Sequence, residues 1–268
     1  MVAILYKYVS AERALTCNPE AGDGTLRATQ PAALNDPFEC AVRTPYVFRD
    51  EAAENRELAK ALTDINEKSP VTEEDVRRAR EEHGSLFTRQ LFAEQASTRF
   101  GIVSFTTDPH HPLMWSHYTA DGSGFVIGYD AAAIRRIAAQ EDLLRAVQYG
   151  NAPPPILDPI VLVWPESNLP GLLSAKGEHW SFEQEWRLIV ELSRTIGTGV
   201  SDRHGQPINL VQVPNEAVVR VYYTERTPPD SVDMVRNRLA ANNNRYRADG
   251  PRKLILSSTS YGYEEAPT

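Results

Sequence analysis

Strand-forming segments in this chain follow one another in runs and do not alternate regularly with helices. Stretches rich in β-branched and aromatic residues suit a pleated, half-buried surface. They lie at 2–8, 25–28, 102–106, 125–129, 185–192, 210–213, 218–224 and 253–256. Runs of strands with the helices segregated between them are typical of an α+β fold rather than of a regular βαβ repeat. The sequence therefore predicts an α+β protein.

Two charged, helix-favouring stretches fill the region between the second and third of these strands. They span 51–66 and 72–98, and the second opens with Thr72 and acidic residues that complement a helix N-terminus. We therefore expect a helical insertion at about 51–98, within a single domain that spans 1–268.

Other local signals mark the remaining helices and the end of the chain. Ser10 is expected to cap a short helix, and Asp130 to cap an alanine-rich helix that reaches about Ala146. Another helix is expected over 230–242. The last residues, about 264–268, are expected to form a short disordered tail.

Composition limits the classes of function. The 268 residues are 41% hydrophobic and 24% charged, which is typical of a packed globular core. A formal net charge of −8 argues against a surface that grips nucleic-acid backbones. Cys17 and Cys40 form no Cys-x-x-Cys pair, so we expect two free thiols. With no signal-peptide pattern and no membrane-spanning stretch, the expected location is the cytoplasm, with no membrane partner.

The first candidate for chemistry is the stretch from Trp180 to Arg187. If this stretch is a strand, its period of two places Glu183, Glu185 and Arg187 on one face. Two close carboxylates can perform acid–base work or stabilise a cationic, sugar-like transition state. Alternatively, Glu185 forms a simple ion pair with Arg187 across a solvated face.

The second candidate surrounds Trp115. Aromatic residues beside Gly122 and Gly124 offer a flat wall with room for a ring, since glycine lets the backbone approach a ligand closely. The alternative is that Trp115 and Tyr118 are core anchors and that His117 lies at the surface.

Three further features carry weaker signals. Lys7 lies on the face of the first strand opposite Tyr6 and Tyr8, where it could neutralise a phosphate or face solvent. The Asn35–Asp36 pair is expected to hold a turn through side-chain bonds to the backbone. The adjacent pair at 110–111 has no third ligand at a helpful spacing, so no metal site is expected.

Common nucleotide and hydrolase motifs are missing from the sequence. It contains no Gly-x-Gly-x-x-Gly, no Gly-Lys-Ser/Thr phosphate loop and no Gly-x-Ser-x-Gly elbow. These absences count against Rossmann, P-loop and α/β-hydrolase interpretations.

Four ordered motifs carry a resemblance to the bacterial family known as domain of unknown function 2971. They are Leu5-Tyr6-Lys7-Tyr8, Leu34-Asn35-Asp36-Pro37-Phe38-Glu39, Met114-Trp115-Ser116-His117-Tyr118 with Gly124-Phe125, and Lys176 with Trp180 and Glu183-Gln184-Glu185-Trp186-Arg187. The family name implies no activity.

More distantly, the chain resembles the ADP-ribosyltransferase fold. That resemblance implies a split, mostly antiparallel sheet around NAD, with a basic residue on the first strand and a late Glu-x-Glu. Lys7 matches the first element, although Arg or His is usual there. Glu183 and Glu185 match the Glu-x-Glu, although Arg187 lies beside the carboxylate expected to be catalytic.

The same resemblance implies the roles of individual residues. Glu185 would stabilise the ribosyl cation, and Glu183 would accept a proton from the incoming nucleophile. Tyr118 would stack on nicotinamide and Lys7 would offset the pyrophosphate charge. A single pocket in the split of the sheet would hold NAD between Lys7, Tyr118 and Glu185, together with Ser104 or Thr106. The other candidate binding residues are Trp115, His117 and Arg187.

The implied function is an NAD-dependent ADP-ribosyltransferase or NAD glycohydrolase, acting as a toxin or phage-defence effector. NAD would be a substrate, no metal would take part, and the acceptor would be a protein, a nucleic acid, a small molecule or water. Two alternatives remain open. One is a non-enzymatic binding module that retains the cleft, and the other is a metal-independent hydrolase or nuclease that uses the same carboxylates.

Overall fold

The computed structural model describes residues 2–16, 23–40, 51–65, 70–83, 87–138, 143–154, 169–203, 205–241 and 246–267. Its strands are β1 (Ile4–Val9), β2 (Asp23–Ala28), β3 (Phe100–Thr106), β4 (Phe125–Asp130), β5 (Leu144–Ala146), β6 (Gln148–Gly150), β7 (Ala175–Gly177), β8 (Glu185–Glu191), β9 (Ile196–Ser201), β10 (Pro207–Pro214), β11 (Val218–Thr224), β12 (Pro251–Leu256) and β13 (Tyr263–Glu265). Its α-helices are α1 (Ala11–Thr16), α2 (Glu51–Ile65), α3 (Glu73–His83), α4 (Phe87–Ser97), α5 (Pro112–Tyr118), α6 (Ala131–Ile137), α7 (Leu169–Leu172) and α8 (Pro229–Ala241). Short 3-10 helices cover Pro31–Ala33, Glu178–Glu183, Leu192–Arg194 and Asn215–Ala217.

The main sheet is eight-stranded, curled and mostly antiparallel. Its strand order is β13-β12-β11-β4-β1-β3-β8-β5. β11 and β12 run parallel, and α8 lies between them in the chain. Two smaller sheets have the orders β2-β10-β9 and β6-β7. The predicted α+β class is therefore confirmed.

Contacts group the chain into two compact units. The first contains residues 1–29, 102–147 and 179–268, and the second contains 30–101 and 148–178. Helices α2, α3 and α4 of the second unit occupy the stretch where the sequence predicts a helical insertion. A single domain over 1–268 stays a prediction. Within the described ranges, no helix is long and apolar enough to cross a membrane.

One face of the main sheet carries an aliphatic core. Leu5 and Val9 project from β1 into it, as the strand period of two requires. Helix α8 packs into the same core through Val232, Val235 and Leu239, whose spacing places them on one side of a helix. This core covers the face of β1 that also bears Lys7.

The opposite face carries what we call the aromatic face, formed by Tyr6, Tyr8, Trp115, Tyr118, Phe182, Tyr222 and Tyr263. The rings of Tyr8 and Trp115 meet edge to face with centroids 5.5 Å apart. Gly128 makes room for this layer, because a Cβ there would lie 2.9 Å from Cε1 of Tyr6. Helix α5 supplies two of these rings, so it brings the second candidate motif onto the sheet.

Two helix predictions need correction. The helix capped by Asp130 ends at Ile137, because Ala138 adopts an extended conformation. Residues 144–146 instead form β5, which pairs with β8 and buries Leu144. The stretch predicted as one helix over 72–98 contains two, α3 and α4, and positions 84–86 between them lie outside the described residues. Cys17 also lies outside them, whereas Cys40 is buried.

The disorder predicted for about 264–268 is wrong for its first residues. Glu264 and Glu265 belong to β13, which pairs with β12. The hydroxyl of Tyr222 donates a 2.7 Å hydrogen bond to Oε1 of Glu265, and this bond lowers the pKa of Glu265. Strand pairing and this side-chain bond together explain the order. Thr268 lies outside the described residues.

Asp130 provides a test of local capping. Its Oδ1 accepts hydrogen bonds from Ala132 N (2.8 Å) and Ala133 N (3.1 Å), and its Oδ2 pairs with Arg247 (2.6 Å). The Arg247 bond, followed by the backbone bonds, lowers the pKa of Asp130. Asp130→Ala should therefore lower the free energy of unfolding by about 1–2 kcal/mol at pH 7. Urea denaturation measures this loss.

The pH dependence follows from the direction of the pKa shift. A carboxylate with a lowered folded-state pKa stabilises the fold above its unfolded pKa, and this contribution is lost as pH falls through the folded pKa. The difference between wild type and Asp130→Ala should therefore shrink in acid. Asp233→Ala, which removes a solvent-exposed partner of Arg236, is the control and should change stability less. Equal losses in both variants would contradict the capping role.

Candidate functional site

A short hydrogen bond on the aromatic face joins Tyr118 and Glu183. Tyr118 is the last residue of α5, and its hydroxyl donates a 2.6 Å hydrogen bond to Oε1 of Glu183. Glu183 ends the 3-10 helix at 178–183 and is only 3% exposed. A short O–H···O⁻ bond is strong and directional. It therefore fixes one buried carboxylate against one half-buried phenol.

Gln184 separates this carboxylate from β8. Its φ is +43°, a left-handed conformation that is unfavourable for any residue other than glycine. Its side-chain Oε1 accepts a 2.8 Å hydrogen bond from Thr107 Oγ1. The strand predicted to contain 183–187 therefore begins only at Glu185. The period-two argument does not extend back to Glu183, because a 3-10 helix and a left-handed residue precede the strand.

Glu185 and Arg187 form a buried ion pair. Arg187 Nε lies 2.8 Å from Glu185 Oε1, and Nη2 lies 3.1 Å from Oε2. Arg187 is 0% exposed and Glu185 is 4% exposed. The sequence left acid–base work and an ion pair open for these residues, and the ion pair is confirmed. It is buried rather than solvated, because β8 lies inside the main sheet.

A loop after β3 supports this region. Tyr8 donates from its hydroxyl to the carbonyl of Asp108 (2.9 Å), and Trp115 Nε1 donates to the carbonyl of Pro109 (2.9 Å). Burial raises the pKa of Tyr8, so it remains a neutral donor. The ring of His111 stacks on Phe182 with centroids 5.3 Å apart. The loop thereby contacts both α5 and the 3-10 helix that carries Glu183.

Lys7 lies elsewhere on the sheet. Its Nζ donates a 2.8 Å hydrogen bond to the carbonyl of Ser104, and it sits 5.9 Å from the centroid of Phe105. Thr106 pairs with Tyr6 across β1 and β3, and its Oγ1 accepts from Asp108 N at 3.0 Å. Lys7 points to the aliphatic side of β1, as predicted, and therefore away from the aromatic face.

The remaining predicted ligand residues differ in exposure. Trp115 is fully buried, as the core-anchor alternative expects, and has no surface with which to contact a ligand. His117 is exposed, and its ring lies 6.3 Å from that of Tyr118. Gly124 leaves no room for a ligand ring, because a Cβ there would lie 2.1 Å from the carbonyl oxygen of Val9. The close approach of β1 explains this glycine.

The structure therefore brings the predicted residues together in pairs. The pairs are Tyr118 with Glu183, Glu185 with Arg187, and Lys7 with the backbone of Ser104. A pocket that contains Lys7, Tyr118 and Glu185 together stays a prediction. Among the described residues, no three His, Cys, Asp or Glu side chains form a group that could hold a metal ion.

Sequence reasoning missed several contacts. One is the bond between Thr107 and Gln184. Neither residue type marks a site, and only Gln184 lies in a motif that carries the family resemblance. In the second unit, Glu39 and Lys176 form a buried ion pair at 3.0 Å. Both residues lie in the motifs that carry the family resemblance, which was the available clue. The turn predicted at Asp36 is confirmed, since its Oδ1 accepts a 2.9 Å bond from Phe38 N.

The buried ion pair can be tested by a double-mutant cycle. Arg187→Met leaves Glu185 buried without its cation, so the free energy of unfolding should fall by about 3–5 kcal/mol. Adding Glu185→Leu should recover part of that loss, because it removes the buried carboxylate that has lost Arg187. Chemical denaturation of both single variants and the double variant measures the coupling. Strictly additive losses would contradict the pairing. Arg77→Met, which breaks a solvent-exposed pair, is the control and should cost less stability.

Comparison with protein-family models gives a match in this region of the chain. The model of a family described as "Protein of unknown function (DUF2971)" matches residues 114–188. No curated protein and no solved structure gives a significant match to the chain. The matched stretch begins in α5 and ends in β8, so it includes Tyr118, Glu183 and the Glu185–Arg187 pair. This match supports the resemblance of the chain to that family.

Proposed function

We propose that this chain cleaves the N-glycosidic bond of NAD and transfers ADP-ribose to water or another acceptor. The observation that carries the proposal is the buried Glu183 carboxylate, held by the Tyr118 hydroxyl at 2.6 Å on a face lined with aromatic rings. The nicotinamide ring of NAD is a planar cation while it is bonded to ribose, and such a ring favours aromatic surfaces and a nearby negative charge. An ADP-ribosyltransferase-like sheet is part of the proposal, and the curled, mostly antiparallel sheet agrees with it.

The reaction breaks the bond between the ribose anomeric carbon and the nicotinamide nitrogen. Nicotinamide leaves as a neutral molecule with the bonding electron pair, and the ribose becomes oxocarbenium-like. A fixed carboxylate lowers this barrier, because it is attracted more strongly to the cationic transition state than to the ground state. The acceptor oxygen then bonds to the anomeric carbon and releases its proton. Glu183 would accept that proton.

Contacts around the two carboxylates favour Glu183 over Glu185 as the catalytic group. Both oxygens of Glu185 are bound by Arg187, which balances its charge. Glu183 accepts a hydrogen bond from Tyr118, a half-buried ring of the aromatic face on which the ligand would lie. We therefore assign the charge-stabilising role to Glu183 and treat Glu185 with Arg187 as the buried support of β8. The catalytic role that the resemblance to the ADP-ribosyltransferase fold implied for Glu185 remains a hypothesis.

Recognition of NAD would use the half-buried rings on the same face. Tyr118 and Phe182 would contact nicotinamide, with His111 stacked behind Phe182. His117 is exposed beside Tyr118 and would contact the remainder of the ligand. The role of Lys7 at the pyrophosphate remains a hypothesis, as does a role for the protein as a toxin or phage-defence effector that consumes NAD.

One observation favours a second candidate, a binding module without catalysis. Arg187 neutralises one carboxylate of the Glu-x-Glu, so the pair of free charges expected from the resemblance is absent from this stretch. In that case NAD or a related planar ligand would bind to the aromatic face and remain intact.

The test is release of nicotinamide from NAD by wild type and by four variants: Glu183→Gln, Tyr118→Phe, Glu185→Gln and Glu178→Gln. Glu183→Gln keeps the size and hydrogen bonding of the side chain but removes its charge, so kcat should fall about 10²-fold to 10³-fold. The kcat of Tyr118→Phe should fall less, because this substitution removes only the hydrogen bond. Glu178→Gln is the matched control, since Glu178 is exposed on the same 3-10 helix. It should retain the wild-type rate.

The outcomes separate the alternatives. Wild type that binds NAD without releasing nicotinamide would establish the binding module. Wild type that neither binds nor cleaves NAD would end the proposal for both candidates. Full activity in Glu183→Gln, with loss of activity in a folded Glu185→Gln, would return the catalytic role to Glu185.

A further inference from the structure

The residue between the two buried carboxylates is held in an unfavourable backbone conformation. Gln184 has a φ of +43°. Glycine adopts such an angle without steric cost, whereas a residue with a Cβ adopts it only when its surroundings enforce it. Gln184 is solvent-exposed, so packing in the core does not explain the choice of side chain. Residues in such conformations cluster at functional sites.

Two contacts enforce this conformation. Gln184 N donates a 3.1 Å hydrogen bond to the carbonyl of Ser181, which closes the last turn of the 3-10 helix. Its side-chain Oε1 accepts the 2.8 Å bond from Thr107. Thr107 directly follows β3, where Thr106 is buried and its Oγ1 holds Asp108 N. The side chain of Gln184 is therefore tied to the end of a strand of the main sheet.

The consequence lies in the direction of the neighbouring carboxylates. In an unbroken strand, residues two apart project from the same face. Here the left-handed residue interrupts the strand, and the two carboxylates have different partners: Glu183 meets the Tyr118 hydroxyl, while Glu185 meets Arg187. The glutamine thus separates a carboxylate bound to a phenol from one bound to a guanidinium.

We infer that Gln184, held by Thr107, is a positioning residue that sets the Glu183 carboxylate against Tyr118. Its catalytic consequence rests on the proposed function, but its structural consequence does not. Reacting groups must be held within a fraction of an ångström of the productive geometry, and small displacements reduce rates strongly. The amide of Gln184 does not itself touch the reacting atoms.

The experiment uses substitutions that separate positioning from stability. Thr107→Val removes the donor while keeping the shape of the side chain, and Thr107→Ser keeps the hydroxyl and serves as the rescue variant. Gln184→Gly relieves the backbone strain and removes the amide. We expect kcat for nicotinamide release to fall about 10-fold to 100-fold in Thr107→Val and Gln184→Gly, with KM nearly unchanged. Thr107→Ser should retain the wild-type kcat.

Thermal melting distinguishes this role from a structural one. Gln184→Gly should melt at the wild-type temperature or slightly above it, because the left-handed conformation suits glycine. A fall in kcat without a fall in melting temperature is the expected result. A fall in kcat that follows the fall in melting temperature across all variants would overturn the inference.

A second readout does not depend on NAD. The protein is labelled with ¹³C at the tyrosine ζ-carbon, and the Tyr118 resonance is identified as the one that is lost in Tyr118→Phe. The chemical shift of this resonance reports the hydrogen bond to Glu183. The resonance should move in Thr107→Val and Gln184→Gly towards its position in Glu183→Ala, which removes the acceptor, and should stay in place in Thr107→Ser. An unmoved resonance in both of the first two variants overturns the inference, even if wild type cleaves NAD. If the resonance moves in these two variants but wild type does not cleave NAD, the inference stands and the proposed function is refuted.

Discussion

Burial of the central strands on both faces is the constraint on which the rest of the structure depends. β4 is buried along nearly its whole length, and β1 is covered on one side by aliphatic residues and on the other by aromatic ones. The aliphatic side is completed by α8, whose apolar residues repeat at helical spacing. The aromatic side is only partly covered, so rings such as Tyr118 and Phe182 remain half-exposed. A surface of this kind suits a planar ligand.

Within this layered sheet, each charged group removed from water needs a partner to replace its hydration. Arg187 binds both oxygens of Glu185, and Lys176 binds Glu39 in the second unit. Such pairs add little net stability, but removing one member leaves an unpaired buried charge. Glu183 has a neutral partner in Tyr118. Its contact with Tyr118, a half-buried ring of the aromatic face, is the basis for assigning the chemistry to it.

The candidate site is assembled from short segments that are themselves held by backbone contacts. Tyr8 and Trp115 hold the loop after β3 through the carbonyls of Asp108 and Pro109. That loop bears Thr107, which in turn fixes Gln184 beside the two carboxylates. Rigid support of this kind is what an electrostatic site requires, because donors and charges act best when they are already oriented.

The sequence by itself determined those features that depend on neighbours in the chain. Alternation placed Lys7 opposite Tyr6 and Tyr8 on β1, a short carboxylate capped α6 at Asp130, and Asp36 held its own turn. Only the tertiary structure decided where α6 ends, because β5 pairs with the distant β8. It alone decided the partners of the carboxylates as well. The left-handed Gln184 breaks the alternation that would have placed Glu183 and Glu185 on the same face of a strand. The conformation of Gln184 depends in part on Thr107, which lies far away in the sequence. Periodicity describes one segment at a time, whereas the pairing of buried charges depends on which segments meet in space.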